Sequence, residues 1–123
     1  MKILIVEDEP FNVMVLEEMI KNFYPDIDIT SVENGKLGYE ILKNDSFDLV
    51  LSDVSMPVMD GYELVKKIKG ELALNVTTIA VTAFAIQGDK EKLLLSGFDN
   101  YLSKPIDISE LENMLNKYLG NNS

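Results

Sequence analysis

The chain has 123 residues, 46% hydrophobic and 26% charged, and contains neither cysteine nor histidine. That length suits one domain with its own core, and the missing residues exclude disulfides, thiolate or imidazole metal sites, and any Cys- or His-based catalysis. The 21 acids outnumber 11 bases, all of them lysine, for a net charge of −10, which disfavours direct contact with nucleic acid or anionic membrane.

Taken in chain order, two hydrophobic periods alternate. Ile3–Val6 reads as a first strand, ending on Glu7-Asp8. Pro10 suits a first helical position, and Phe11, Val15, Met19 and Phe23 recur at fours, predicting the buried face of a helix. Ile27–Val32 reads as a second strand, and Asn34 as the cap of a helix carrying Leu37, Ile41 and Leu42. Phe47–Leu51 is a third strand, and Gly61, Leu64, Val65 and Ile68 mark a third helix. Ile79–Val81 is a fourth strand, reaching Thr82, and the fourth helix falls within Ile86–Ser96, with Gly97 placed to end it. Phe98–Leu102 is a fifth strand. Asp107 and Glu110 then suggest a capping box, and Ile108, Leu111, Leu115 and Tyr118 form the last stripe.

Five β-α repeats argue for an α/β domain, with a mainly parallel sheet covered by helices on both faces. The expected architecture is a flavodoxin-like, doubly wound, five-stranded sheet of order 2-1-3-4-5 with five helices. One domain over residues 1–123, with no output domain, is expected. No apolar run is long enough to span a bilayer and the start lacks a signal-peptide pattern, so a cytoplasmic protein is expected.

Polar groups stand at four of the predicted strand tips: Glu7-Asp8, Asp53, Thr82 and Lys104. In open α/β sheets ligands bind beyond the carboxyl ends of the strands, where the strand order reverses. Here that point lies between the first and third strands, so Glu7, Asp8 and Asp53 share a crevice, with Thr82 and Lys104 on its far side. Carboxylates about 4 Å apart repel by about 4 kcal/mol per pair at an effective dielectric near 20. A hard cation such as Mg²⁺ relieves that repulsion. Metal and ammonium together suit a phosphoryl group, with Asp53 as the carboxylate nucleophile and Thr82 as a hydroxyl donor. Each feature alone has a plainer reading. Glu7-Asp8 could be charge at a helix start, Thr82 a β-branched strand residue, Lys104-Pro105 a turn, and Met56-Pro57 and Asp60-Gly61 loop chemistry. Four such groups at four strand tips favour the joint reading.

The motifs VED, DVSMPVMDGYEL, VTAFA and YLSKPI resemble, over essentially the whole chain, the receiver (CheY-like) domain of two-component response regulators. The order 2-1-3-4-5 is also that family's own, so fold and order stand as one expectation. The resemblance implies Asp53 as phosphoacceptor and Asp8 as the main acidic Mg²⁺ ligand, with Glu7 acting through water and Ser55 through its backbone carbonyl. It implies Thr82 and Tyr101 as switch residues, Tyr101 turning inward as Thr82 moves, and Lys104 as the phosphate-pairing lysine. Lys104-Pro105 would be cis, and Met56-Pro57 and Asp60-Gly61 would shape the loop behind Asp53. Phe84, too bulky to orient water, implies slow self-dephosphorylation.

The expected function is therefore a phosphorylation switch and not an enzyme acting on external substrates. A partner histidine kinase or histidine phosphotransfer protein would donate through a surface near Phe11 and Asn12. The face of the fourth helix, fifth strand and fifth helix would engage a downstream protein, as a monomer or a weak phosphorylation-dependent dimer. An aspartyl-phosphate hydrolase fits poorly, since its acids usually stand two residues apart at the first strand. A degenerate receiver acting only as a binding module would have no need of Asp8, Asp53, Thr82 and Lys104 together.

Overall fold

The computed structural model of the chain describes residues 1–56, 58–83 and 87–120. Five strands, β1 (Lys2–Val6), β2 (Asp28–Val32), β3 (Leu49–Asp53), β4 (Thr77–Thr82) and β5 (Asn100–Ser103), alternate with five helices. These are α1 (Pro10–Phe23), α2 (Gly35–Asn44), α3 (Gly61–Lys66), α4 (Gln87–Leu95) and α5 (Ile108–Leu119). All strand pairs are parallel, in the order β2-β1-β3-β4-β5.

The inner strands are the most apolar because both of their faces are covered. Ile3, Ile5, Leu49, Leu51, Ile79 and Val81 pack against Leu16 and Ile20 of α1 and Leu111, Leu115 and Leu119 of α5. Leu4, Val6 and Val50 point the other way, against Leu42 of α2, Leu64 of α3 and Ile68. Ala80 joins Val54, Val65, Phe98 and Leu93 of α4. Strand alternation thus feeds both layers from one sheet.

The helix starts follow their sequence signals. Asn34, Asp60 and Asp107 accept backbone N–H groups of Leu37 at 2.9 Å, Glu63 at 2.9 Å and Ser109 at 2.8 Å, satisfying donors that a first turn leaves unpaired. Pro10 opens α1, and Gly97 follows α4 with φ 118°, a conformation that favours glycine.

Three apolar stripes differ from expectation. In α1 the fully buried residues are Leu16 and Ile20, whereas Phe11 is 65% exposed. A strict spacing of four drifts about 40° per step around a 3.6-residue helix, so Phe11 rotates out of the face that Met19 and Phe23 still flank. In α5, Ile108 is exposed and Leu119 is buried, because the first residue lies beyond the sheet while the last turn still covers it. Leu37 of α2 is likewise largely exposed, and Gly35, Gly38 and Leu42 take the buried positions.

After α3 the chain widens into a π-helical turn over Lys67–Glu71, with the Leu72 N–H reaching the Lys67 carbonyl at 2.8 Å. Ile68 stays buried there. Lys69 extends to the Val76 carbonyl at 2.9 Å and to Asp99 at 3.2 Å, while Glu71 accepts the Tyr39 hydroxyl. Among the described residues, no helix is long and apolar enough to cross a membrane.

Candidate functional site

The strand ladders continue one residue beyond two of the strands, and those residues carry the charges. The Glu7 N–H donates to the Val32 carbonyl at 3.0 Å and the Lys104 N–H to the Thr82 carbonyl at 2.9 Å. Each backbone is therefore fixed at the sheet's carboxyl edge before its side chain enters the crevice. Asp53 is itself the last residue of β3, paired in register with Val81. Thr82 follows Val81 at the tip of β4 and is buried.

Lys104 occupies the middle of the crevice and does not face the acids from the far side. Its Nζ lies 3.0 Å from Asp53 Oδ2 and 3.1 Å from Glu7 Oε1. The second oxygen of each acid is also engaged. Asp53 Oδ1 accepts the Val54 N–H at 2.7 Å and the Ser55 N–H at 3.3 Å, and Glu7 Oε2 accepts the Glu9 N–H at 3.1 Å. Glu7 and Asp53 are 6% and 8% exposed, while Asp8 is open to solvent. One carboxylate oxygen from each of Glu7, Asp8 and Asp53 lies within 4.8 Å of the other two.

This charge arrangement perturbs its members. Burial pushes the Glu7 carboxyl above the usual carboxylate range; the Lys104 hydrogen bond opposes that shift and the Asp53 charge adds to it. Burial by itself would lower Lys104, but hydrogen bonds to Asp53 and Glu7, with their charges, outweigh it and hold the ammonium above its ordinary value.

The loop behind Asp53 is held by close backbone contacts. The Gly61 N–H donates to the Val54 carbonyl at 2.8 Å, and a Cβ on Gly61 would lie 2.3 Å from the Asp53 carbonyl oxygen. The Gly35 N–H meets the Met59 carbonyl at 3.1 Å, where a Cβ would stand only 2.4 Å from that oxygen. Both glycines permit an approach that no side chain allows. Val58, 74% exposed, has φ 70°, a costly conformation for a β-branched residue. Met56 packs against the Leu4–Val6–Leu64 cluster.

The remaining expected residues are placed as follows. The Lys104–Pro105 bond is cis. Pro105 borders a cavity of about 240 Å³ with Phe11, Asn12, Val15, Met19 and Ile106. Tyr101 is half-buried against the cluster of Val54, Ala80 and Phe98, with Lys90 Nζ 5.7 Å from its ring centroid. The Ser55 N–H is turned toward Asp53. Pro57 and Phe84 lie outside the described residues. Sequence reading missed the Glu7–Lys104 pair and the Gly35–Met59 contact; a glycine just after a cap was the only hint of the second.

Comparison with known proteins gives one answer. The family model described as the response regulator receiver domain matches residues 3–116. The sensor histidine kinase RcsC of Escherichia coli is 36% identical over 118 residues, covering 96% of this chain and 12% of the kinase. Across kinases of this kind the chain spans 4–13% of the relative's length. Among solved structures, the receiver domain of sensor histidine kinase PA1611 from Pseudomonas aeruginosa, with magnesium coordinated in its active-site cleft, is 35% identical with a TM-score of 0.84, covering 98% of both chains. The co-crystal structure of the Saccharomyces cerevisiae phosphotransfer protein Ypd1 with the Ssk1 receiver domain matches at 29% identity and a TM-score of 0.86, covering 96% of this chain and 88% of that one.

Proposed function

The chain belongs to the response regulator receiver domains, and from that premise we propose that it is a phosphorylation switch whose phosphoacceptor is Asp53. One observation carries this reading. Asp53 stands at a strand tip with an ammonium 3.0 Å from one oxygen and backbone N–H groups on the other. A nucleophile so oriented has donors already in place for incoming phosphoryl oxygens.

In the transfer, an electron pair of an Asp53 carboxylate oxygen forms the new O–P bond as the P–N bond of a donor phosphohistidine breaks. The imidazole nitrogen leaves with that bond's electrons. Attack by a carboxylate oxygen calls for no general base. Lys104 then follows the charge from the carboxylate to the phosphoryl oxygens, and the Thr82 hydroxyl donates to one of them. The kinship with histidine kinase receivers, and the partnership of the Ssk1 receiver with Ypd1, support a kinase or phosphotransfer protein as donor.

The clustered oxygens of Glu7, Asp8 and Asp53 fit a hard divalent cation. Asp8, Asp53 and the Ser55 carbonyl would hold Mg²⁺, with Glu7 in reach through water. Bound there, the ion supplies positive charge for the phosphoryl oxygens. Output follows from Thr82 and Tyr101 resettling, which alters the surface of α4, β5 and α5 for a downstream protein. The setting would be cytoplasmic.

The test is intact mass after incubation with acetyl phosphate, with and without Mg²⁺, for the wild type and Asp53→Ala. The expected result is one Mg²⁺-dependent phosphoryl adduct that the variant lacks. An adduct persisting in Asp53→Ala would overturn the assignment. No adduct from either acetyl phosphate or a phosphohistidine donor would leave a binding module.

A further inference from the structure

Both oxygens of Glu7 are in use, one on the Lys104 ammonium at 3.1 Å and the other on the Glu9 N–H at 3.1 Å. Its neighbour Asp8 is exposed and, among the described residues, its carboxylate makes no hydrogen bond or ion pair. Of the two adjacent acids, only Asp8 can accept a cation without first breaking a contact. Glu7 is nearly sealed from water, and a buried carboxylate that loses its counter-charge pays heavily.

Seen from Lys104, the ammonium is shared between Asp53 and Glu7 at nearly equal distances, and its backbone is tied to Thr82. Sharing has two effects. It keeps the positive charge from settling wholly on Asp53, whose oxygens must attack phosphorus. It also gives the ammonium a second anchor when Asp53 Oδ2 is released, so Lys104 stays beside the incoming phosphoryl group without retreating into solvent. We infer that Glu7 is the positioning residue for Lys104, and that this contact, ahead of any contact through water to a metal, is its main contribution to the switch. The inference rests on the phosphoacceptor reading above for its purpose, though not for its test.

The carboxylate's reach decides the point. Glu7→Asp keeps the charge but shortens the arm by one methylene, which withdraws the carboxylate from Lys104. Glu7→Gln keeps the length and removes the charge. The experiment follows the Lys104 side-chain ¹³Cε and ¹⁵Nζ signals, assigned with Lys104→Ala, at one fixed pH in unphosphorylated protein without Mg²⁺. It also measures Mg²⁺ affinity and the dependence of phosphorylation rate on acetyl phosphate concentration. Both variants should shift the Lys104 signals and raise their mobility. The maximal rate should fall by up to about a hundredfold, the scale of a misplaced group, with half-saturation little changed. Mg²⁺ affinity should drop far less than in Asp8→Asn.

Unshifted Lys104 signals in Glu7→Asp would overturn the inference, as would a Glu7→Gln loss of Mg²⁺ affinity matching that of Asp8→Asn. Circular dichroism of each variant separates these results from misfolding. A wild type that forms no adduct would sink the phosphoacceptor reading while the Lys104 signals still judged the contact, so the two failures are distinguishable.

Discussion

Two lysines stand at opposite edges of the same sheet, each gripped by acids. At the amino edge, Lys2 Nζ meets both oxygens of Asp45 at 2.7 Å, its backbone N–H donates to Asp48, and its ammonium lies 4.8 Å from the Phe47 ring centroid. At the carboxyl edge, Lys104 sits between Glu7 and Asp53 at slightly longer distances. By distance alone, the Lys2 pair would count as the stronger. Burial reverses that ranking. The Lys2 and Asp45 side chains are 34% and 45% exposed, against 23% for Lys104 and 6% and 11% for its partners. Water screens the first pair into a surface clasp, whereas the second is three charges that cannot be separated cheaply.

The most direct test of that contrast removes each lysine in turn. Lys104→Ala leaves two enclosed carboxylates facing each other and should lower stability by about 1–2 kcal/mol, a figure discounted for the solvent that reaches Lys104. Saturating Mg²⁺ should restore part of the loss. Lys2→Ala should cost distinctly less and be indifferent to Mg²⁺. Equal losses, or no Mg²⁺ rescue, would break the comparison.

Backbone crowding beside Asp53 gives a second test at the carboxyl edge. Gly61→Ala forces a Cβ against the Asp53 carbonyl and should cost about 1–3 kcal/mol, as overpacking does, while slowing phosphorylation by acetyl phosphate. Gly70→Ala, where a Cβ meets nothing within 4 Å, is the matched control and should do neither. Relief of strain is smaller and opposite in sign. Val58→Gly frees a left-handed residue and should raise stability by about 1 kcal/mol, seen as a higher melting temperature.

The smallest effect is in acid, and there the two edges should diverge in sign. The Lys2 hydrogen bond holds Asp45 below the usual carboxylate range. Its contribution is therefore present above the unfolded value and lost as pH falls through the folded one. Burial raises Glu7, so its contribution is present below the unfolded value and lost as pH rises through the folded one. Without Mg²⁺, the penalty of Asp45→Asn should shrink toward acid pH. Glu7→Gln, which resembles the protonated acid, should gain on the wild type toward neutral pH. Urea titrations between acid and neutral pH measure both, and parallel curves would remove the distinction.

Most of the fold could be read because strands buried on two sides must be apolar throughout. Ile27, Phe47 and Phe98 were read as strand residues and instead precede the strands. All three are buried, and burial is what periodicity detects, not ladder pairing. The helix stripes slipped where an apolar residue turns out of the buried face, as Phe11 does, or lies past the sheet's edge, as Ile108 does. The site was legible as residue types at strand tips. Which acids Lys104 would meet was not, since a four-carbon stem can reach several partners and the choice depends on ladder register and the packing around Glu7. The Gly35–Met59 approach is similarly a property of two distant segments that nothing local encodes.

The π-helical turn after α3 has a bearing on how the chain's length can change. Its hydrogen bonds span five residues where an α-helix spans four, so the turn holds a surplus residue in a stretch that includes Gly70, beside open space. Deleting Gly70 would tighten that turn to ordinary helical spacing and leave the following residues nearly in phase, because the wider turn already holds the extra residue. Leu72 and Leu74, which pack against the core from just beyond the turn, would keep their places, and β4 could keep its register. The segment is thus a natural splice point for insertion and deletion, on the flank of the domain and away from the carboxyl edge of the sheet.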